Sequence, residues 1–243
     1  MSLPHKPAGP GRPARITRRM VAEAALAVGL DRVTLAEVGR HLGVDHSSLY
    51  RHTSGRADML QAAADIAIAS LDWEKDTEDW RPYLEGAADA IWSLFDRHPG
   101  LANALRQLET MPASGGRAFC RACRRLETFG FTAEQGVLIM DSIMDLTIDA
   151  ACYSQRLREQ SAHGGTVADR IGSAWDDLGA SDPVTAAHMA LMRSAILGNS
   201  KQWWRRKLDL LLDGAAALLA TGDGRCRCGA LSSQSGMRGA VSP

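Results

Sequence analysis

His46, Ser47, Ser48, Tyr50, Arg51 and His52 place six hydrogen-bonding side chains in seven consecutive positions, interrupted only by Leu49. Such groups suit recognition: they donate to and accept from base edges and phosphate oxygens. Asp45 is positioned to cap the short helix that would carry them, with Leu49 as its one plainly apolar anchor. Upstream, Thr34 and Glu37 form a capping box that opens a helix whose Leu35, Val38 and Leu42 make one apolar stripe. Gly43 supplies a left-handed turn between the two. Downstream, Ser54 is the expected cap of the next helix, with Asp58 favourable in its first turn. A short polar helix held between two apolar-anchored ones offers side chains to the DNA major groove. The plain alternative is a surface helical hairpin with no nucleic-acid role.

Charge follows the same division. Lys+Arg and Asp+Glu balance at 28 each over 243 residues, but residues 1–56 hold nine basic against four acidic, and residues 57–243 hold 19 against 24. A basic head on an acidic body docks one end on phosphates and keeps the other away.

The stretch from about Arg15 to Leu71 resembles the DNA-binding domain of the tetracycline-repressor (TetR) family. The residues that carry the resemblance are Thr34-Leu35, Leu42-Gly43-Val44, Leu49-Tyr50-Arg51-His52 and Arg56. Upstream, Gly11-Arg12-Pro13-Ala14-Arg15-Ile16-Thr17-Arg18 looks like the start of many members, and Leu208 to Gly214 looks like the family's last helix. The resemblance implies that His46, Ser47, Ser48 and Arg51 meet base edges or nearby phosphates. It implies that Thr34, Tyr50, His52 and Arg56 position phosphates, and that Arg12 enters an adjacent minor groove.

The rest of the chain reads as helix throughout, so the predicted fold is all-α. A basic arm over 1–14 is expected to be flexible, 15–71 to form a helix-turn-helix domain with a linking helix, 72–220 a larger helical ligand-binding and dimerisation domain, and 221–243 a disordered tail. Residues 72–80 read as a polar joint, Gly115-Gly116 as a separator before a helix over 117–129, and 161–182 as a loop around Trp175. No run approaches the roughly 20 apolar residues of a membrane span, and no apolar leader is present, so a cytoplasmic location is expected. Five cysteines include Cys120 with Cys123 and Cys226 with Cys228. A four-thiolate zinc site would need a better spacing than Cys226-x-Cys228, so free thiols and no cofactor are expected.

In the TetR family the larger domain encloses a pocket whose ligand weakens DNA binding. Trp92, Phe95, Met140, Met144, Met189 and Met192 are the candidates here, because methionine fills irregular cavities. Residues at such spacing also make ordinary core. Asp141, Asp145 and Asp149 form an i, i+4, i+8 row that can attract a cation, pair across an interface or simply face water. The apolar stripe of the last helix is too wide for one neighbour. Ala150, Ala151, Leu208, Leu211, Leu212 and Ala215 are therefore expected at a homodimer interface, unless the stripe packs within its own chain. The functional reading is a ligand-responsive transcriptional regulator, a repressor that binds palindromic double-stranded operator DNA as a dimer and is released by a small-molecule effector. No convergent acid–base, nucleophile or phosphate-loop set supports an enzyme. A DNA-independent interaction protein is the remaining alternative.

Overall fold

The computed structural model describes residues 16–72, 77–181 and 184–220. The arm with Arg12, residues 73–76 of the polar joint, and the tail with Cys226 and Cys228 lie outside the described residues. Within them every regular element is helical, apart from a single antiparallel bridge between Gln160 and Thr166.

The head comprises α1 (Arg18–Val28), α2 (Leu35–Leu42), a 3-10 helix (His46–Arg51) and α3 (Arg56–Ala69). Local chemistry sets most of these ends. The Thr17 hydroxyl accepts from the Met20 N–H at 3.2 Å, and the Thr34–Glu37 capping box is fully formed. Ser54 does not cap α3 with its side chain. The helix starts after Gly55, and the Asp58 carboxylate reaches back to the Ser54 N–H at 2.9 Å. Val21, Ala25, Val38, Leu49 and Met59 fill the head's core, which continues without a break into the body.

The body is built on α7 (Ala133–Arg158), opened by a second capping box between Thr132 and Gln135. Around it pack α4 (Trp80–Arg97), α5 (Leu101–Gln107), α6 (Ala113–Thr128) and α10 (Ser200–Ala220). Trp204 of α10 is fully buried with its ring 4.8 Å from that of Trp92 on α4. Its indole N–H donates to the Thr147 hydroxyl of α7 at 3.2 Å, and Thr147 donates onward to the Ile143 carbonyl at 2.7 Å. Leu208, Leu212 and Ala215 of α10 and Ala151 of α7 are buried in this same packing. These four residues, expected at a dimer interface, are covered by their own chain, because one stripe of α10 is matched by α7 and α4 together.

Two further expectations are corrected. Val167–Ser181 is a helix, α8, not a loop, and it pairs with α9 (Ala186–Leu197) as a hairpin. Thr166 and Asp169 cap it reciprocally, and its glycines serve close approach. A Cβ on Gly172 would lie 3.3 Å from Leu197, and one on Gly179 3.4 Å from the Met189 Cβ. Likewise α6 begins at Ala113 and takes in Gly115 and Gly116, because its cap comes from elsewhere in the chain.

That cap is Asp65 of α3. Pro112 precedes α6 and offers no side-chain cap. The Asp65 carboxylate instead accepts from the Ser114 N–H and lies equally close to its hydroxyl, both at 2.7 Å. A second joint forms where the Leu30 N–H donates to the Pro99 carbonyl at 3.1 Å. There Gly100, with φ +86°, lies so near Asp31 that a Cβ would fall 2.2 Å from its backbone nitrogen. Head and body therefore meet where α3 packs on α5 and α6 and where the α1–α2 loop meets the α4–α5 turn.

Candidate nucleic-acid interface and apolar cavity

The 3-10 helix hangs on one side chain. Leu49 is fully buried, whereas His46, Ser47, Tyr50 and Arg51 are exposed, Tyr50 at 57%. Asp45 starts the helix by accepting from the Ser47 N–H at 2.8 Å. Its proximity to α2 depends on Gly39, where a Cβ would sit 3.0 Å from the Val44 carbonyl oxygen and 3.2 Å from the backbone of His46. Gly43, with φ +69°, makes the turn itself.

The sequence-expected contact residues divide. His46, Ser47, Tyr50 and Arg51 share one exposed surface. Ser48 is half-buried and donates to the Asp45 carbonyl at 2.6 Å, while His52 is half-buried. The Thr34 hydroxyl lies 2.8 Å from Glu37 within its capping box. Arg56 is exposed, yet its Nε donates to the Val33 carbonyl at 3.0 Å, tying the start of α3 to the α1–α2 loop. Arg12 lies outside the described residues.

Asp58 binds this end together and was legible only as a favourable first-turn charge. It pairs with Arg18 of α1 through both carboxylate oxygens, one contact at 2.9 Å, and accepts from Thr53 at 3.1 Å and the Ser54 N–H at 2.9 Å. The Arg18 guanidinium, with the Ser54 and Thr53 donors, holds its carboxyl at about 2 against an ordinary 3.8.

In the body, a cavity of about 300 Å³ lies among α3, α4, α5, α6 and α7. Ile68, Leu94, Phe95, Leu105, Phe119 and Met144 give it an apolar wall, and Glu109, Asp141 and Asp145 border it. Of the six expected pocket residues, Phe95 and Met144 are there. Trp92 is turned away onto Trp204, with its indole N–H donating to Asp96 at 2.8 Å. Met140 is fully buried in solid packing. Met189 lies against α8, and Met192 borders a separate trough of about 780 Å³ along the outer side of α7, α9 and α10. The cavity's wall from Ile68 and Leu71, and from Met111, Pro112 and Gly115, was not foreseen, because no periodicity links an α3 terminus to the loop before α6.

Among the described residues no group of three or more His, Cys, Asp or Glu could hold a metal ion. Burial pushes the Cys123 and Cys152 thiols up, away from the reactive thiolate. No described helix is long and apolar enough to cross a membrane.

A helix-turn-helix head coupled to an all-helical body with an internal cavity defines a two-part regulator architecture. The chain belongs to the tetracycline-repressor family: residues 74–219 match the model described as tetracyclin repressor-like, C-terminal domain. It is 32% identical over 92 residues to the transcriptional repressor DrrR1 of Streptomyces coeruleorubidus, covering 35% of this chain and 34% of that one. It is 25% identical over 151 residues to the repressor MT1396 of Mycobacterium tuberculosis, covering 59% and 58%. The matched stretch thus spans between about a third and six tenths of these relatives' length. In fold, it superposes on ActR of Streptomyces coelicolor in complex with actinorhodin with a TM-score of 0.69 at 18% identity, over 84% of this chain and 97% of that one. A complex of ActR with (S)-DNPA gives 0.68 at 19% identity, over 86% and 100%.

The Asp58 cluster generates a pH prediction. A carboxyl held below its unfolded value stabilises the fold fully above about pH 4, and that contribution is lost as pH falls towards 2. With Arg18 half-exposed, the loss is about 1–2 kcal/mol. Urea denaturation at pH 5 and pH 2.5 should show the native chain losing that much more stability than Asp58→Asn; equal losses would remove Asp58 from this role.

Proposed function

We propose that this chain is a dimeric transcriptional repressor that reads operator DNA through the 3-10 helix and is released when a small molecule occupies the cavity among α3–α7. The observation that carries the proposal is the placement of α3. Its first turn holds Asp58, which ties down the chain just after the DNA-facing helix. Its middle holds Asp65, the cap of α6. Its end brings Ile68 to the cavity wall. A 14-residue helix is a rod of about 21 Å, so a displacement at one end is delivered to the other. Repressor relatives and the ligand complexes of the ActR fold support the same reading.

His46, Ser47 and Arg51 are assigned to base edges and nearby phosphates; Tyr50 and Arg56 to phosphates. Ser48, His52 and Thr34 act through the helix they stabilise. An occupant wedged between Ile68 and Met111 would lift the first turn of α6 from Asp65 and tilt α3. In a dimer this changes the spacing of two recognition helices that must meet half-sites one turn, about 34 Å, apart.

The dimer face is assigned to the outer side of α7 and α10. Leu138 at 52%, Tyr153 at 43% and Leu210 at 75% are exposed there, with Leu146, Ala150, Trp203 and Leu211 half-buried. Ala150 and Leu211 remain from the expected set. An apolar face of this extent on two adjacent helices suits a four-helix contact with a second copy.

Three measurements check these assignments. A gel-shift with the DNA upstream of its own gene should show a complex, with Tyr50→Phe and Arg56→Ala weakening all sequences alike. Arg56→Ala should also lower the salt slope by about one, while His46→Ala shifts sequence preference. No complex from a folded chain would overturn DNA reading. Asp65→Ala should cost about 1 kcal/mol of stability and blunt the response of DNA affinity to any cavity-bound molecule; an unchanged response would exclude Asp65 from the coupling. Sedimentation at micromolar concentration should give a dimer that Leu146→Glu with Leu210→Glu converts to a folded monomer, and a persistent dimer would move the interface elsewhere.

A further inference from the structure

The row Asp141, Asp145 and Asp149 on α7 is split by the fold. Asp149 is paired with Arg106 at 2.7 Å and borders the outer trough. Asp141 and Asp145 instead border the apolar cavity, and Glu109, from the segment after α5, joins them. All three are exposed at its edge, and among the described residues none of the three has an ion-pair partner. No lysine, arginine or histidine lines the cavity. Three exposed carboxylates therefore rim one apolar cavity without a counter-charge among its lining residues.

We infer that the occupant of this cavity is a lipophilic cation: a compact aromatic or alicyclic body carrying one protonated amine or quaternary nitrogen. This rests on reading the cavity as the effector site. The body of such a molecule replaces water along Leu94, Leu105 and Met144. Its positive group relieves the repulsion among Glu109, Asp141 and Asp145, and the aromatic rings of Phe95 and Phe119 line the same cavity. An anion of the same shape meets three like charges and no cationic side chain. The sign of the charge, more than the size of the ligand, is what this wall selects.

The test uses three probes of one shape with the full chain at low ionic strength and pH 7.5: 1-methyl-4-phenylpyridinium, neutral 4-phenylpyridine and biphenyl-4-carboxylate. Calorimetric titration should give the cation an affinity about tenfold above that of the anion, with the neutral probe between. Asp141→Asn with Asp145→Asn, both surface changes, should shrink that ratio to about threefold or less while leaving the neutral probe unaffected. Met144→Trp should abolish binding of all three. Equal affinities, or a tighter anion, would overturn the charge assignment and leave the cavity reading standing. A cation preference that survives the double substitution would place it at another site and overturn the assignment as well. Failure of all three probes to bind the folded chain would instead overturn the cavity reading, and the inference with it.

Discussion

Helix α6 cannot start itself. Its first residues are Ala113-Ser114-Gly115-Gly116, preceded by a proline with no capping side chain, and four N–H groups at any helix start need acceptors. Asp65 supplies one from a different helix, and the Ser114 N–H, with the Ser114 hydroxyl and the nearby Arg117, holds its carboxyl below the ordinary value. The stretch that would otherwise fray is the one that walls the cavity through Met111, Pro112 and Gly115. The shape of the cavity is thus tied to where α3 lies, since Asp65 holds the start of α6 and Ile68 lines the same wall.

The second joint is of another kind. Gly100 meets the backbone of Asp31 at a distance that no side chain would tolerate, and the adjoining carbonyl of Pro99 receives the Leu30 N–H. This contact fixes the α1–α2 loop by shape as well as by a hydrogen bond. One joint is a side-chain cap at a helix start; the other combines a backbone hydrogen bond with a close steric fit.

Elements whose start and stop signals are local were legible from the sequence. Thr34 with Glu37, Gly43 and Asp45 all act within a few residues. What escaped was decided by partners distant in sequence. Gly115 and Gly116 read as a separator because their cap lies 49 residues away in Asp65. Gly172 and Gly179 read as loop because only α9 reveals why a side chain is unwelcome there. In the candidate site, the exposed cluster around Tyr50 was legible as a set, since polarity and one apolar anchor define it. The cavity was half legible. Phe95 and Met144 reach it, whereas Trp92 and Met140 sit on the same helices one step round, against Trp204 and the interior. Helical spacing tells which residues share a stripe; it does not tell which stripe faces a void.

The distribution of indoles has an optical consequence. All six tryptophans lie at or beyond position 73, and none falls in the helix-turn-helix head. Trp92 and Trp204 lie with ring centroids 4.8 Å apart and planes 32° apart, close enough for their excited states to couple. Among the described residues the tryptophan emission is therefore a report from the body, and the DNA-facing end carries Tyr50 as its one tyrosine. A single indole placed on α2 or the 3-10 helix would add a second, separable channel, so that the two ends of α3 could be watched in one molecule.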